Sequence, residues 1–292
     1  MSAYLDLEGD LTQDWSMTLA VRGEDYSDFG SDVNYKLASR LEIIDGVAVR
    51  GGIATGFRAP SLHQQFFSTT STNNVAGRLV DVGTFAVTDG AARSLGARDL
   101  EPETSLNLSA GLVLDLIPRL SVTLDYFRID IDDRIVLTEN LGASGTPTQN
   151  AAVQTVLANA GYTSISSARF FINGLDTRTQ GIDMVAAYQL PALSIGDLRA
   201  TAGYNYTKTQ IERFINDLGP LAQIPGLELF GRLESERIER GQPRSKLGLS
   251  LEWNRGPFAA TLRANRYGEV FAPGVDPRDD LVIEPEIGRA HV

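Results

Sequence analysis

Long segments in which apolar and polar residues alternate with period two dominate this chain, and that pattern leaves few folds open. In "TSLNLSAGLVLDL", Leu106, Leu108, Ala110, Leu112 and Leu114 share one face, with Ser105, Asn107, Ser109, Gly111 and Asp115 opposite. "SKLGLSLEWN" sets Leu247, Leu249, Leu251 and Trp253 against Lys246, Gly248, Ser250, Glu252 and Asn254. "DLRATAGYNYT" and "PFAATLRANRYGE" repeat the scheme, and "WSMTLAVR" and "QGIDMVAAYQL" follow it more loosely. Strict alternation marks a strand with one apolar face. Ten such segments begin near residues 2, 14, 33, 47, 104, 119, 176, 197, 244 and 258.

Strand length and connection rhythm narrow the choice further. Most segments run about 9 to 12 residues, whereas globular strands are most often about 5 to 6. Tilted strands of about 9 to 11 residues are what a bilayer's hydrocarbon core demands. The connections "DLTQD", "DG" at 45–46, "IPR", "PALSIG" and "RGP" are short, and between them lie "EDYSDFGSD" and the long stretches 58–103, 133–175 and 208–243. Alternating tight turns and extended loops is the asymmetry of an outer-membrane barrel. The pattern predicts an all-β, antiparallel, up-and-down transmembrane β-barrel, here a partial barrel of about ten strands.

Aromatic residues fit two membrane interfaces. Trp15, Trp253 and Phe258 sit beside short turns, and Tyr26, Phe57, Tyr206 and Tyr267 at the opposite strand ends. Aromatics also flank turns in soluble β proteins, so placement alone leaves both readings open. Lys36, Arg40, Arg50, Asn107, Arg199, Asn205 and Arg263 share the polar parity, which suits either a wet barrel interior or the solvent face of a soluble sheet. One segment departs from phase. In "RLSVTLDYFRIDIDDRI", Leu120, Val122, Leu124 and Tyr126 share a face, and then Phe127, Ile129 and Ile131 take the other. Either a bulge near Tyr126 and Phe127 resets the phase, or the upper half rises above the membrane.

Composition excludes several function classes. A net charge of -11 and a pI of 4.7 argue against sequence-independent nucleic-acid binding. Hydrophobic content of 42% and a mean hydropathy of -0.10 are ambiguous, since a membrane barrel averages to the same value as a soluble protein. No apolar run approaches the roughly 18 residues of a spanning helix. With no cysteine and only His63 and His291, thiolate chemistry and His-rich metal sites are excluded. His63 lies near Ser61, yet no Gly-x-Ser-x-Gly elbow accompanies them, and no enzymatic activity, catalytic residue or cofactor is expected. Asp130, Asp132 and Asp133 lack the glycine and bidentate glutamate of a calcium loop and are expected to be a solvated strand end. "RLESERIER" has room for a short solvated helix, and "TQNAAVQTVLANAG" places Val153, Val156, Leu157 and Ala160 at helical spacing within the 133–175 loop.

"GFRAPSL" after a strand, "LEPETSLNLSAGL", "LSVTLDYFRIDIDDRI", "TRTQGIDMVAAY" and "ANRYGEV", in that order, resemble blocks of the C-terminal barrel of TonB-dependent outer-membrane receptors. The resemblance spans roughly residues 14 to 280. It implies a barrel of about 22 strands closed by an N-terminal plug. It also implies uptake of a scarce nutrient (siderophore-iron, cobalamin or a carbohydrate), energised by TonB, in a Gram-negative outer membrane. The expected partners are outer-membrane lipid, TonB through the missing N-terminal region, and the small-molecule nutrient. Arg58 and its neighbours would lie near the top of the wall, and the resemblance assigns no substrate-binding residue. Residues 1–286 are expected to be a fragment of such a barrel, lacking plug, N-terminal strands and last strand, with Met1 internal to a longer protein. "IGRAHV" matches the translation of a sequencing-adapter read, so 287–292 are set aside as a scar. A passive porin, another outer-membrane barrel, or a soluble β-rich polysaccharide-binding module are the alternatives.

Overall fold

The computed structural model describes residues 1–291 except Asp28, Ala76, Gly77, Ala192, Leu193, Asn216 and Val275. The first four strands form consecutive hairpins: β1 (Ser2–Asp10), β2 (Trp15–Tyr26), β3 (Gly30–Ile44) and β4 (Val47–Arg58). A first long connection holds α1 (Leu62–Phe66), the hairpin β5 (Thr69–Val75) and β6 (Arg78–Phe85), and α2 (Gly90–Ser94). The wall resumes with β7 (Glu103–Ile117) and β8 (Leu120–Leu137). Beyond α3 (Pro147–Asn159) come β9 (Ser167–Gln189) and β10 (Asp197–Phe214), and beyond α4 (Arg232–Arg240) come β11 (Ser245–Arg255) and β12 (Phe258–Tyr267). A small hairpin, β13 (Val270–Ala272) with β14 (Leu281–Ile283), precedes β15 (Glu286–His291).

The ten predicted segments are the ten wall strands from β1 to β12, all antiparallel and all paired with their sequence neighbours in the wall. Among the described residues β1 and β15 have no partner on their outer sides, so the sheet is open. The turn chemistry that fixes register is visible locally. Asp45 and Gly46 make a two-residue hairpin loop, and Gly46 takes φ 74°, a conformation with little cost only for glycine.

Several expectations need correction. The outer halves of the strands continue past the membrane: β8 and β10 run 18 residues and β9 runs 23. At about 3.3 Å per residue, β9 exceeds twice the roughly 30 Å hydrocarbon core. The 133–175 loop therefore shrinks to 138–166, because β8 and β9 stay paired up to Leu137↔Phe171. Above the bilayer neither face meets lipid, so alternation fades while pairing persists. The bulge near Tyr126 and Phe127 is absent. Tyr126↔Ala110 and Phe127↔Ser109 are consecutive rungs, and the irregularity falls later, between Ile131 and Arg134, where Asp133 has φ 54°. Independently of the reading of 287–292, Glu286–His291 pairs with β12 from Tyr267↔Glu286 to Leu262↔His291 at the edge of the sheet. An unpaired edge presents a row of N–H and C=O groups that a further strand can pair. Val292 of that segment, and Ala192 and Leu193 of the "PALSIG" turn, lie outside the described residues.

The buried core is not between strand faces but in the connections. Phe85, Ala91, Ala92, Leu95, Leu141, Val153, Leu157, Ala168, Phe170, Leu221 and Leu227 form one apolar cluster. It joins the first, second and third long loops into a single cap. The predicted helix is α3, and its sequence explains why it forms. Thr146 and Gln149 make a capping box, Pro147 occupies the first turn, and Val153 and Leu157 are fully buried. "RLESERIER" is α4, laced by Arg237–Glu234 and Arg240–Glu236 pairs. Its Ile238 packs with Phe230 on Leu175 and Ile211 of the wall.

Candidate ligand chamber at the outer rim

Register assigns the two faces of the wall. Leu41, Val49, Leu112, Leu124, Met184, Tyr204 and Leu247 lie in one cross-strand row. Leu41, Leu112, Leu124, Met184 and Tyr204 in it are exposed, as are Leu249 and Leu251 on β11. A soluble sandwich would bury this stripe against a second sheet. Exposed on a large contiguous surface, it requires hydrocarbon. Trp15 and Trp253 share this outward parity at the short-turn end, and Tyr126 and Tyr206 share it on the way to the long-loop end. Tyr267 does not belong to that belt, because it pairs with Lys246 on the opposite face.

The inner face is polar. One row runs Asp10, Ser16, Arg40, Arg50, Gly111, Asp125, Asp183, Asn205, Lys246 and Tyr267. All seven residues predicted to share the polar parity fall on this face. Arg50 donates from Nε and Nη2 to the Asp125 carboxylate at 2.7 and 2.5 Å, reaching across the intervening strand. Gly111 is the residue that lets it pass: a Cβ there would sit 2.1 Å from Asp125 Oδ1. Gly111→Val is therefore expected to break the pair and destabilise the barrel by about 1–3 kcal/mol. A lowered conversion temperature of the heat-modifiable gel band tests it, and an unchanged one rejects the crossing. Above this row Phe127 and Ile129 also point inward and, with Lys36, Arg40 and Asn107, line a hollow of about 460 Å³.

At the outer rim the inner face carries a cluster that sequence reasoning did not single out, beyond placing Arg58 near the top. Arg58 holds the nearly buried Glu103 through Nε–Oε2 and Nη2–Oε1 contacts of 2.7 and 2.5 Å. Glu103 Oε1 also accepts the Ile135 N–H at 2.7 Å. Arg134, paired across the ladder with Leu175, donates to Thr177 Oγ1 at 3.1 Å. Burial first, and then the neighbouring Arg58 charge, depress the Arg134 pKa against the opposing pull of Glu103. The signal available in the sequence was two arginines and one glutamate at strand ends. Their convergence depends on register across β4, β7 and β8, which no single segment reveals.

Two of the three aspartates of "RIDIDD" have structural partners, and Asp132 is exposed. Asp130 binds Arg128 and Arg178, and Asp176 accepts the Asp133 N–H at 3.0 Å. Ser61 and His63 do not meet. The Ser61 hydroxyl caps α1 by accepting the Gln64 N–H, while the His63 ring stacks on Phe67 with centroids 4.2 Å apart. Phe66 and Leu62 stay exposed beside them.

The cap is tied to the wall through α4. Gly231 offers this helix no side-chain cap, and the Glu139 carboxylate, distant in sequence, stands against its N-terminus beside Gly231. Glu139→Ala is expected to cost about 1 kcal/mol of cap stability, and Glu139→Gln, which keeps an acceptor, less than half of that. Burial, then the Glu234 charge, raises the Glu139 pKa. A raised carboxyl pKa favours the fold fully below the unfolded-state value, and that contribution is lost as pH rises through the folded value. Mild acidification from neutrality should thus slow proteolysis at 231–241 in the unmodified chain and not in Glu139→Gln.

An open, antiparallel wall with an apolar outer stripe, a polar inner row and a packed outer cap defines the class: an outer-membrane β-barrel. The family model described as "TonB dependent receptor-like, beta-barrel" matches residues 1–282, and the chain belongs to that family of receptors and transporters, which are not enzymes. A probable TonB-dependent siderophore receptor, PirA, of Acinetobacter baumannii is 25% identical over 77% of this chain and 27% of its own length. An iron-regulated outer membrane virulence protein of Vibrio cholerae is 23% identical over 77% of the chain and 29% of its length. The chain thus spans under a third of these relatives. The crystal structure of the Acinetobacter baumannii siderophore receptor PirA superposes with TM-score 0.63 at 16% identity, covering 98% of this chain and 38% of that one. A ferric enterobactin receptor variant of Pseudomonas aeruginosa in complex with enterobactin gives 0.64 at 16%, covering 98% and 36%.

Proposed function

We propose that this chain is the wall and outer cap of a longer receptor that imports siderophore-bound iron across the outer membrane with energy relayed by TonB. The observation that carries this reading is the family match across 1–282, together with relatives and solved neighbours named as siderophore receptors. No covalent chemistry is required. The cargo meets the inner rim, where polar side chains and loop shape select it, and the apolar stripe holds the barrel among lipid chains. TonB would engage a region N-terminal to these strands, in the parent protein.

The test is radioactive iron uptake by iron-starved cells carrying the intact receptor, with and without functional TonB. Uptake is expected only with both. Iron entry that persists without TonB would make the barrel a passive pore, and import of cobalamin or a carbohydrate in place of iron would replace the cargo.

A further inference from the structure

The outward stripe is not uniform. Much of it is leucine, isoleucine, valine and tyrosine, but Ala186 and Ala202 face each other across β9 and β10, Ala200 lies one outward position below Ala202, and Ala264 flanks Leu249 on β12. All four alanines are half-buried, whereas Tyr188 on one flank and Leu251 on the other are more than a third exposed. The alanine floor and its taller walls enclose a hollow of about 430 Å³ on the outer surface of the barrel. It begins just above Trp253 and reaches past Leu249, about 13 Å along the strand from the short-turn interface toward the bilayer midplane. Acyl chains cover this face, and a hollow they leave empty forfeits dispersion contacts along its whole lining. Nothing in the wall fills it, because alanine ends at Cβ.

The charge below the hollow says what fills it. Arg255 continues the outward parity of Leu249, Leu251 and Trp253. A Cβ on Gly196 would lie 2.9 Å from Trp253 Nε1 and 3.0 Å from Arg255 Cβ, which places both residues on one side of the sheet. Trp253 Nε1 donates to the Ile195 carbonyl at 2.6 Å, and this bond fixes the ring at headgroup depth. Arg255 is exposed and, among the described residues, makes no ion pair. Asp197 and Glu252 of the neighbouring strands take the inward parity. A free guanidinium at the lipid surface matches a phosphate oxygen pair in shape and charge. We propose that the hollow seats an acyl chain of an anionic phospholipid whose headgroup phosphate is held by Arg255, in the leaflet at the short-turn end. The site is independent of the cargo that the receptor imports.

The experiment is native mass spectrometry of the intact receptor in detergent, titrated with dipalmitoyl phosphatidylglycerol or with dipalmitoyl phosphatidylcholine. The anionic lipid should bind about fivefold tighter, the contribution of one arginine at a lipid surface, and Arg255→Gln should abolish that preference. Ala202→Leu, which fills the hollow, should weaken both lipids about tenfold or more, while Ala110→Leu, the same enlargement on the outward face of β7, should change nothing. Equal affinity for the two lipids, or a preference that survives Arg255→Gln, overturns the headgroup assignment. Unchanged binding in Ala202→Leu, or equal loss in Ala110→Leu, overturns the seat. A receptor dimer that Ala202→Leu dissolves without loss of lipid would give the hollow to a second copy and reject the proposal. Should Ala202→Leu fail to fold, chain length decides on the unmodified receptor: dihexanoyl phosphatidylglycerol must bind more weakly than the dipalmitoyl form, and equal binding rejects the hollow as the seat.

Discussion

Phe170→Ala is expected to unfold the outer cap while leaving the barrel wall standing. Phe170 is fully buried, and its position on β9 makes it the joint between two bodies. Its carbonyl accepts the Thr138 N–H at 3.0 Å, its own N–H donates to Thr138 Oγ1 at 3.2 Å, and β6 pairs with it in parallel through Phe85. The ring meets the cluster that Leu95, Leu141, Leu157 and Leu221 build from three different connections. Truncating a buried phenylalanine costs about 3–5 kcal/mol, the lost transfer energy plus the cavity left behind. The smaller cluster of Val136, Leu175 and Phe230 seats only the third connection on the wall, so it does not absorb the loss in the first two. Limited proteolysis should therefore cut between residues 86 and 102 and between 138 and 166, while the folded gel mobility of the barrel is retained and cargo binding falls. Loss of the folded barrel band along with the cap would show that wall and cap are one cooperative unit.

That division also explains what the sequence made legible. Where a strand crosses lipid, one face must be apolar and the other need not be, so Leu106 to Leu114 or Leu247 to Trp253 announce both strand and facing. The ten starts predicted from alternation fall within three residues of the observed ones except at β9, which begins at Ser167 rather than near 176. There the outer half, "SARFFINGL", has Phe170 buried in the cap and Phe171 half-buried beside it. Both faces serve packing, and the period is lost. The helix α3 was visible because its capping box and its buried Val153 and Leu157 are local. The hairpin of β5 and β6 was not, since Thr69, Thr70, Ser71, Thr72 and Asn73 alternate nothing and β6 is held by a parallel partner about 85 residues away. The rim cluster was hidden for a related reason. Arg58, Glu103 and Arg134 are far apart in the chain, and only the cumulative register of three strands brings them together.

Leu249→Arg should be the most damaging change on the wall itself. Leu249 lies between Ala202 and Ala264 in the outward row, 48% exposed in a chain whose buried core is elsewhere. Such exposure is tolerable only if acyl chains cover it. An arginine at the bilayer midplane of a barrel costs about 2–4 kcal/mol, and the small neighbouring alanines offer it no polar partner. Ser250, the next residue, pairs with Thr201 and Arg263 on the inner face. An arginine there meets the aqueous interior and a like charge, so the expected cost is under about 1 kcal/mol. Denaturant titration of the intact barrel in lipid vesicles separates the two. A soluble sheet would respond the other way, because an exposed Leu249 would accept arginine freely. Equal costs at the two positions would mean that the faces are not divided between lipid and water, and the barrel, the chamber and the uptake function would fall with that division.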